Sequence, residues 1–327
     1  MSGGVADRPR AVRDNERVPD ALYLIPGVIA AGVGGELFVR STVGGAARAR
    51  VAPGIVAATV AAFATSSPEM SVAVNAATAG RPEIALGDLL GSNVVNIGLV
   101  LAIAILLGGI TARGRDLRRD IPIALAAPLL VLALALDGSL NRGDGIILLL
   151  TFAGWFTVTV MQAARERSDV VEVMADRTLS RVVRDFILGL VLLIAAGRLI
   201  VLAASDFGRI LGWDTFTVGA VLVAIATSVP ELATVVAAKL RNHGDVSVGT
   251  VLGSNIFNGL LIVGVAATIH PIRITWSEFL VAIGFGVLTM LMVIPGRTNH
   301  LGVGRGLLLL LTYGTYVTTL LLVHQGA

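Results

Sequence analysis

The chain has 327 residues, 55% of them hydrophobic and only 14% charged, with a mean hydropathy of +0.85. A soluble domain carries about 25% charged residues, so this composition excludes an ordinary globular core and points to a polytopic membrane protein. The net charge of +3 speaks of loop topology rather than a nucleic-acid partner, and the absence of Cys excludes disulfides, thiol catalysis and thiolate metal sites.

Residues 1–20 are polar and mixed in charge, lack the head and core of a signal peptide, and read as a disordered tail. Hydropathy and polar breaks then predict ten helices, at about 21–39, 51–79, 83–109, 121–136, 144–164, 182–203, 214–240, 245–269, 274–294 and 302–324. The second and seventh contain prolines and are expected to be broken; the fourth is short enough to merge with a neighbour. The polar segment 165–181, RERSDVVEVMADRTLSR, is too short for a domain. It reads as a cytoplasmic linker between a first membrane half, 21–164, and a second, 182–327.

Placing the N-terminus outside puts sixteen Arg and Lys residues on inward loops and eight on outward segments, with Arg198 inside a helix. The positive-inside rule therefore favours both termini on the extracytoplasmic side.

Shifting the chain by 162 residues aligns ATSSPEM (64–70) with ATSVPEL (226–232), and GDLLGSNVVN with GTVLGSNIFN. Residues 64–97 and 226–259 share thirteen identities in thirty-four ungapped positions, concentrated on Thr, Ser, Pro, Glu, Gly and Asn. This is an internal duplication, with repeat cores at about 51–109 and 214–269. Five helices per half is odd, so the second half must enter the membrane inverted. Proline-interrupted helices in matching places of inverted repeats point to a secondary transporter.

The two motifs supply a consistent chemistry. Pro68 and Pro230 have no N–H, so the carbonyls of Ala64 and Ala226 lose their helical donors. Thr65, Ser66, Thr227 and Ser228 add oxygens at the same breaks, and Glu69 and Glu231 add one carboxylate each. Ser92 and Asn96 are four apart on one helix face, as are Ser254 and Asn258. Gly87 and Gly91, four apart and matched by Gly249 and Gly253, permit close helix approach. A lone membrane Pro is usually a kink and GxxxG usually packing, whereas an intramembrane Glu is functional by default. The set holds only hard oxygen ligands, which suit Ca2+ or Na+ and argue against zinc or copper. Glu36 reads as a boundary residue. Asp88 has a conceivable place by the outer approach to the site, but its repeat mate is Thr250, which weighs against that role. Asp137, Asp144, Asp206 and Asp214 read as interfacial charges at helix ends, and His243, His270, His300 and His324 as solvated loop residues.

The paired signatures resemble the α-repeats of the calcium/cation antiporter superfamily, the sodium/calcium exchangers and their prokaryotic relatives. The resemblance covers both halves and implies an all-α fold of about ten transmembrane helices in two inverted five-helix repeats. Position by position, it implies that Glu69 and Glu231 are the central Ca2+ ligands, with Thr65 and Thr227 adding mainly backbone carbonyls. Ser66, Ser92, Ser228 and Ser254 would line flanking sodium sites with backbone oxygens of Ala62 and Ala224, and Asn96 and Asn258 would sit beside the glutamates. The chain departs from the pattern at Ala64 and Ala226, where Gly is usual, and at Asp88 and Thr250, where Asn is common. Asn258 stands where sodium/calcium exchangers often carry Asp, which bears on coupling ion and stoichiometry.

The expected function is a Ca2+ antiporter driven by Na+, with no cofactor, no covalent chemistry, no nucleic acid and no obligate protein partner. The lipid bilayer and small cations are the expected partners. The rival of the same fold is a Ca2+/H+ exchanger, since desolvated carboxyls can carry protons as well as cations. A channel would need a continuous polar pore, and an intramembrane hydrolase a base that no His or Lys supplies beside these serines. The Ala- and Arg-rich composition and short linker suggest a prokaryotic plasma membrane.

Overall fold

The computed structural model describes residues 20–48, 63, 66–111, 114–165, 178–240, 244–294 and 299–326. The polar tail before residue 20, most of the linker, His243 and the first stretch of the predicted second helix, Ala62 and Thr65 among them, lie outside these residues.

The first half comprises α1 (Leu24–Arg48), α2 (Ser67–Thr78), α3 (Pro82–Val95, continued through a π turn at Asn96–Leu101 to Ala102–Leu106), α4 (Gly114–Leu134) and α5 (Arg142–Arg165). The second half opens with α6 (Leu179–Leu211). Next come α7 (Thr215–Val218, a π turn at Gly219–Val223, then Ala224–Thr227) and α8 (Val229–Leu240). It ends with α9 (Gly244–Ile256, a π turn at Phe257–Ile262, then Val263–Ile269), α10 (Trp276–Val293) and α11 (Val303–Gly326). Among the described residues, eight helical stretches are long and apolar enough to cross a membrane, and Leu24–Leu37 adds a shorter apolar one. The fourth and fifth helices are separate, divided by a strand and a turn at Gly138.

Four two-residue strands carry the symmetry of the duplication into the structure. They are β1 (Ile110–Thr111), β2 (Ser139–Leu140), β3 (Ile272–Arg273) and β4 (His300–Leu301). Strand β1 pairs antiparallel with β4, and β2 with β3, so each ribbon takes one strand from each half. Strands β1 and β3 are related by the 162-residue shift seen in the sequence. The 21-residue helix α4 runs between β1 and β2, a rise of about 30 Å. The two ribbons therefore close opposite ends of the bundle, as an inverted repeat requires.

The core sits where the duplicated helices cross. Helix α3 is buried along almost its whole length, from Ile84 to Gly98. It lies against α7, the backbones meeting at Gly87, Gly91 and Gly219. Helices α1 and α6 pack together at Gly27 and Gly34, and α6 also receives α2, where the Ser71 hydroxyl donates to the Leu193 carbonyl. Phe257, beside Asn258, is gripped edge-on by Phe152 and Trp155, with ring centroids 4.9 and 6.2 Å away. Of the histidines expected to be solvated, His300 is exposed, as expected, and also bonds across a ribbon, whereas His324 is half-buried against a carboxylate. His300 Nδ1 lies 3.0 Å from the Thr111 hydroxyl, and His324 Nδ1 lies 2.8 Å from Asp214 Oδ2. Asp214 also caps α7, accepting from the N–H groups of Phe216 and Thr217 at 2.7 and 3.0 Å.

Candidate cation-binding site

The prolines act differently from a kink inside a continuous helix. Pro68 occupies the first turn of α2, which starts after the non-helical Ser66 (φ −87°, ψ 9°). In the second half α7 stops at Thr227, Ser228 steps out of helix (φ −81°, ψ 4°), and α8 starts at Val229 with Pro230 in its first turn. A first-turn proline costs little, because its missing N–H would have had no acceptor there. Glu69 and Glu231 each fall in that same first turn, where the partial positive charge of a helix N-terminus favours a carboxylate. The motif Ser-x-Pro-Glu thus starts a helix inside the membrane and places an acid at its favourable end.

Both glutamates are fully buried. Neither carboxyl oxygen of Glu69 has a hydrogen-bond partner among the described residues, and Glu69 is within electrostatic reach of Glu231 and Asp88. Ser254, from α9, donates to Glu231 Oε1 at 3.5 Å. Its repeat mate Ser92 does not turn to Glu69. It lies 3.3 Å from Asp88 Oδ1 and 3.3 Å from Thr227 Oγ1. The Thr227 hydroxyl donates to Asp88 Oδ1 at 2.9 Å, with the Val223 carbonyl at 3.1 Å as the alternative acceptor. The Ala224 carbonyl accepts from the Ser228 N–H at 3.2 Å, and the hydroxyls of Ser66 and Ser228 are buried without partners among the described residues.

The four asparagines of the two Gly-Ser-Asn-x-x-Asn motifs divide into pairs. Asn255 Nδ2 donates to the Asn93 carbonyl at 3.0 Å, and Asn93 Nδ2 to the Asn255 carbonyl at 3.4 Å. Because 93 and 255 are repeat mates, this reciprocal pair lies on the pseudo-two-fold axis. Asn96 Nδ2 donates to Asn255 Oδ1 at 3.1 Å, while its own Oδ1 and both amide atoms of the fully buried Asn258 have no partner among the described residues. Truncating Asn255 removes two side-chain bonds across the axis and truncating Asn93 removes one. Asn255→Ala is therefore expected to destabilise the bundle by about 1–3 kcal/mol and Asn93→Ala by less, read as ordered losses in thermal midpoint of the purified protein.

Asp88, Asn93 and Asn255 are the residues that motif reading undervalued. The Asn pair was visible as identities in the repeat. Asp88 was visible as the residue one helical turn before Ser92, but its lack of an acidic mate hid it. The π turns begin at or beside Asn96 and Asn258 and repeat at Gly219; such turns inside α-helices often mark functional sites.

Among the described residues, orphaned carboxylate and amide oxygens lie where broken or bulged helices of opposite halves meet, which makes this a membrane protein with a buried oxygen cluster shared by both repeats. Comparison with known proteins agrees. A family model described as sodium/calcium exchanger protein matches residues 20–161 and 185–322. The chain belongs to that family. The inner membrane protein YrbG of Escherichia coli is 33% identical over 230 residues, covering 68% of this chain and 71% of its own. The sodium/calcium exchanger MaX1 of Methanosarcina acetivorans is 22% identical over 343 residues, covering 91% of this chain and 97% of its own. A solved structure of the sodium-calcium exchanger NCX_Mj superposes with a TM-score of 0.63 at 27% identity, covering 92% of this chain and 98% of that one. The protein is thus an integral membrane cation/Ca2+ antiporter of exchanger fold.

Proposed function

We propose that this antiporter exchanges Ca2+ for Na+ by alternating access across a prokaryotic plasma membrane, with both termini outside and residues 165–181 on the cytoplasmic side. The carrying observation is Glu69, fully buried with both carboxyl oxygens unpartnered among the described residues and in electrostatic reach of a second glutamate. Glu69 and Glu231 are the Ca2+ ligands, and two carboxylates balance one divalent charge. Oxygens of Thr65 and Thr227 complete that shell. Ser66, Ser92, Ser228 and Ser254, with the backbone of Ala62 and Ala224, hold the sodium ions, and Asn96 and Asn258 stand beside the glutamates.

The same burial supplies the coupling rule. Uncompensated carboxylates in a low-dielectric interior cost several kcal/mol each in roughly every such setting. A bundle emptied of cations therefore resists passing through its occluded state. One that holds Ca2+, or the sodium ions that replace it, meets no such penalty. Cations then cross only in exchange for one another.

The test is 45Ca2+ uptake into proteoliposomes, first under an outward Na+ gradient and then under a pH gradient without sodium. Uptake driven by the sodium gradient alone is the expected result. Uptake driven by the pH gradient alone replaces this reading with Ca2+/H+ exchange, and neither gradient moving Ca2+ overturns both.

A further inference from the structure

Asp88 is a third carboxyl in the same buried cluster, and the arrangement above leaves it without a task. It is fully buried in α3, and one of its oxygens, Oδ2, has no partner among the described residues. No ion pair found among those residues reaches it: Arg184 joins Asp185, Arg209 joins Asp206 and His324 joins Asp214, all at other helix positions. A buried carboxylate without a cation beside it is costly. Asn at this position would accept the same two hydroxyl hydrogen bonds, so an acid here requires a reason: it must either hold a proton or hold a cation.

The geometry supplies one. Asp88 Oδ1, Ser92 Oγ and Thr227 Oγ1 form a triangle with edges of 2.9, 3.3 and 3.3 Å. Oxygens about 2.3–2.6 Å from a hard cation, set at right angles to one another, stand about 3.3–3.7 Å apart. Two edges of the triangle stand at that spacing, and the third, the 2.9 Å Thr227–Asp88 hydrogen bond, needs to widen by only a few tenths of an ångström for the three oxygens to form one face of such a shell. One carboxylate with two neutral hydroxyls balances one positive charge rather than two. The residue also breaks the symmetry of the duplication, since its mate is the neutral Thr250. Correspondingly, Ser92 faces Asp88 and Thr227 while its own mate Ser254 faces Glu231.

We infer that Asp88 adds a carboxylate to the sodium position proposed above at Ser92, beside the Thr227 hydroxyl, so that this position carries an anionic ligand on one repeat only. The inference rests on the antiporter reading and adds to it a charged sodium ligand on the first repeat. It makes Asp88 a determinant of how many monovalent ions are carried per Ca2+.

Binding of 22Na+ to the purified full-length protein without Ca2+ tests it. Asp88→Asn keeps the acceptor for Thr227 and Ser92 and removes only the charge. Its sodium affinity is expected to fall about tenfold or more, the scale of one lost charged ligand, and the sodium Hill coefficient of exchange to fall with it. A sodium curve that superposes on wild type overturns the proposal and leaves Asp88 a structural acceptor. Asp88→Ser removes the charge with a smaller side chain and is expected to weaken sodium binding by a similar factor, so the question stays open to measurement if Asp88→Asn misfolds. Unchanged sodium binding in Asp88→Ser would then sink it. Wild-type protein that binds no sodium also overturns it, even where pH-driven Ca2+ exchange survives. Sodium binding that depends on Asp88 in a protein that moves no Ca2+ supports the position and removes the antiporter reading instead.

Discussion

Glu69→Gln is expected to abolish Ca2+ exchange, leaving no more than about one-hundredth of the wild-type rate, because hard-cation affinity follows the charge count of the ligand shell. The substitution preserves shape and size in a fully buried position, so the bundle should assemble. Its carboxyl makes no hydrogen bond among the described residues that an amide would lose. What disappears is one of the two charges proposed to balance a divalent ion. Glu231→Gln is expected to have an effect of the same order, with the Ser254 hydroxyl still able to donate to the remaining oxygen. Proteoliposome 45Ca2+ uptake and calorimetric Ca2+ titration of each variant read the loss separately in turnover and in binding. Retention of more than about one-tenth of wild-type uptake by either variant contradicts a central role for that carboxylate.

Much of this site was legible because its chemistry leaves few substitutes. Thr-Ser-x-Pro-Glu and Gly-x-x-Leu-Gly-Ser-Asn-x-x-Asn recur after 162 residues, so aligning them gave the duplication, the inversion and most of the buried oxygens. The structural role of the prolines was less visible. Both a mid-helix break and a helix start put Pro and Glu side by side, and only the backbone at Ser66 and Ser228 shows that a helix begins there. The ribbons were not legible at all. Strands of two residues, such as Ile110–Thr111 and His300–Leu301, carry no hydrophobic period and are made by the docking of the two halves. The π turns at Asn96–Leu101, Gly219–Val223 and Phe257–Ile262 likewise left no mark in the hydrophobic pattern. The burial of Asp88 beside Ser92 and Thr227 was hidden for a different reason: reading by symmetry favours residues with matching mates and discounts the position where the two halves differ. The reciprocal Asn93–Asn255 pair shows the opposite case, where the sequence marked both residues and only the fold showed that they meet each other.

Gly91→Ala is expected to prevent the two halves from closing. A Cβ on Gly91 would stand 2.4 Å from the Ala220 carbonyl oxygen, 2.7 Å from its Cα and 2.8 Å from its carbonyl carbon. All three are backbone atoms, so no rotamer change relieves the contact. The neighbouring contacts prevent a local adjustment, because a Cβ on Gly87 would stand 2.2 Å from the Phe216 oxygen, and one on Gly219 2.4 Å from the Ile84 oxygen. Helices α3 and α7 must move apart as rigid bodies. That motion carries Thr227 away from Asp88 and Ala220 away from the Tyr316 hydroxyl, which now lies 3.4 Å from its carbonyl. Overpacking in a closed core costs about 1–3 kcal/mol when side chains can yield, and here only helices can. The expected result is loss of the monodisperse peak in size-exclusion chromatography, or a thermal midpoint lowered by many degrees. Gly284→Ala is the matched control, since a Cβ there meets nothing within 4 Å. In a helix interior that replacement is expected to be neutral or to stabilise by roughly 0.5–1 kcal/mol. Equal midpoints for the two variants contradict a closed α3–α7 crossing, and with it the contact by which an acid of the first repeat accepts from a hydroxyl of the second.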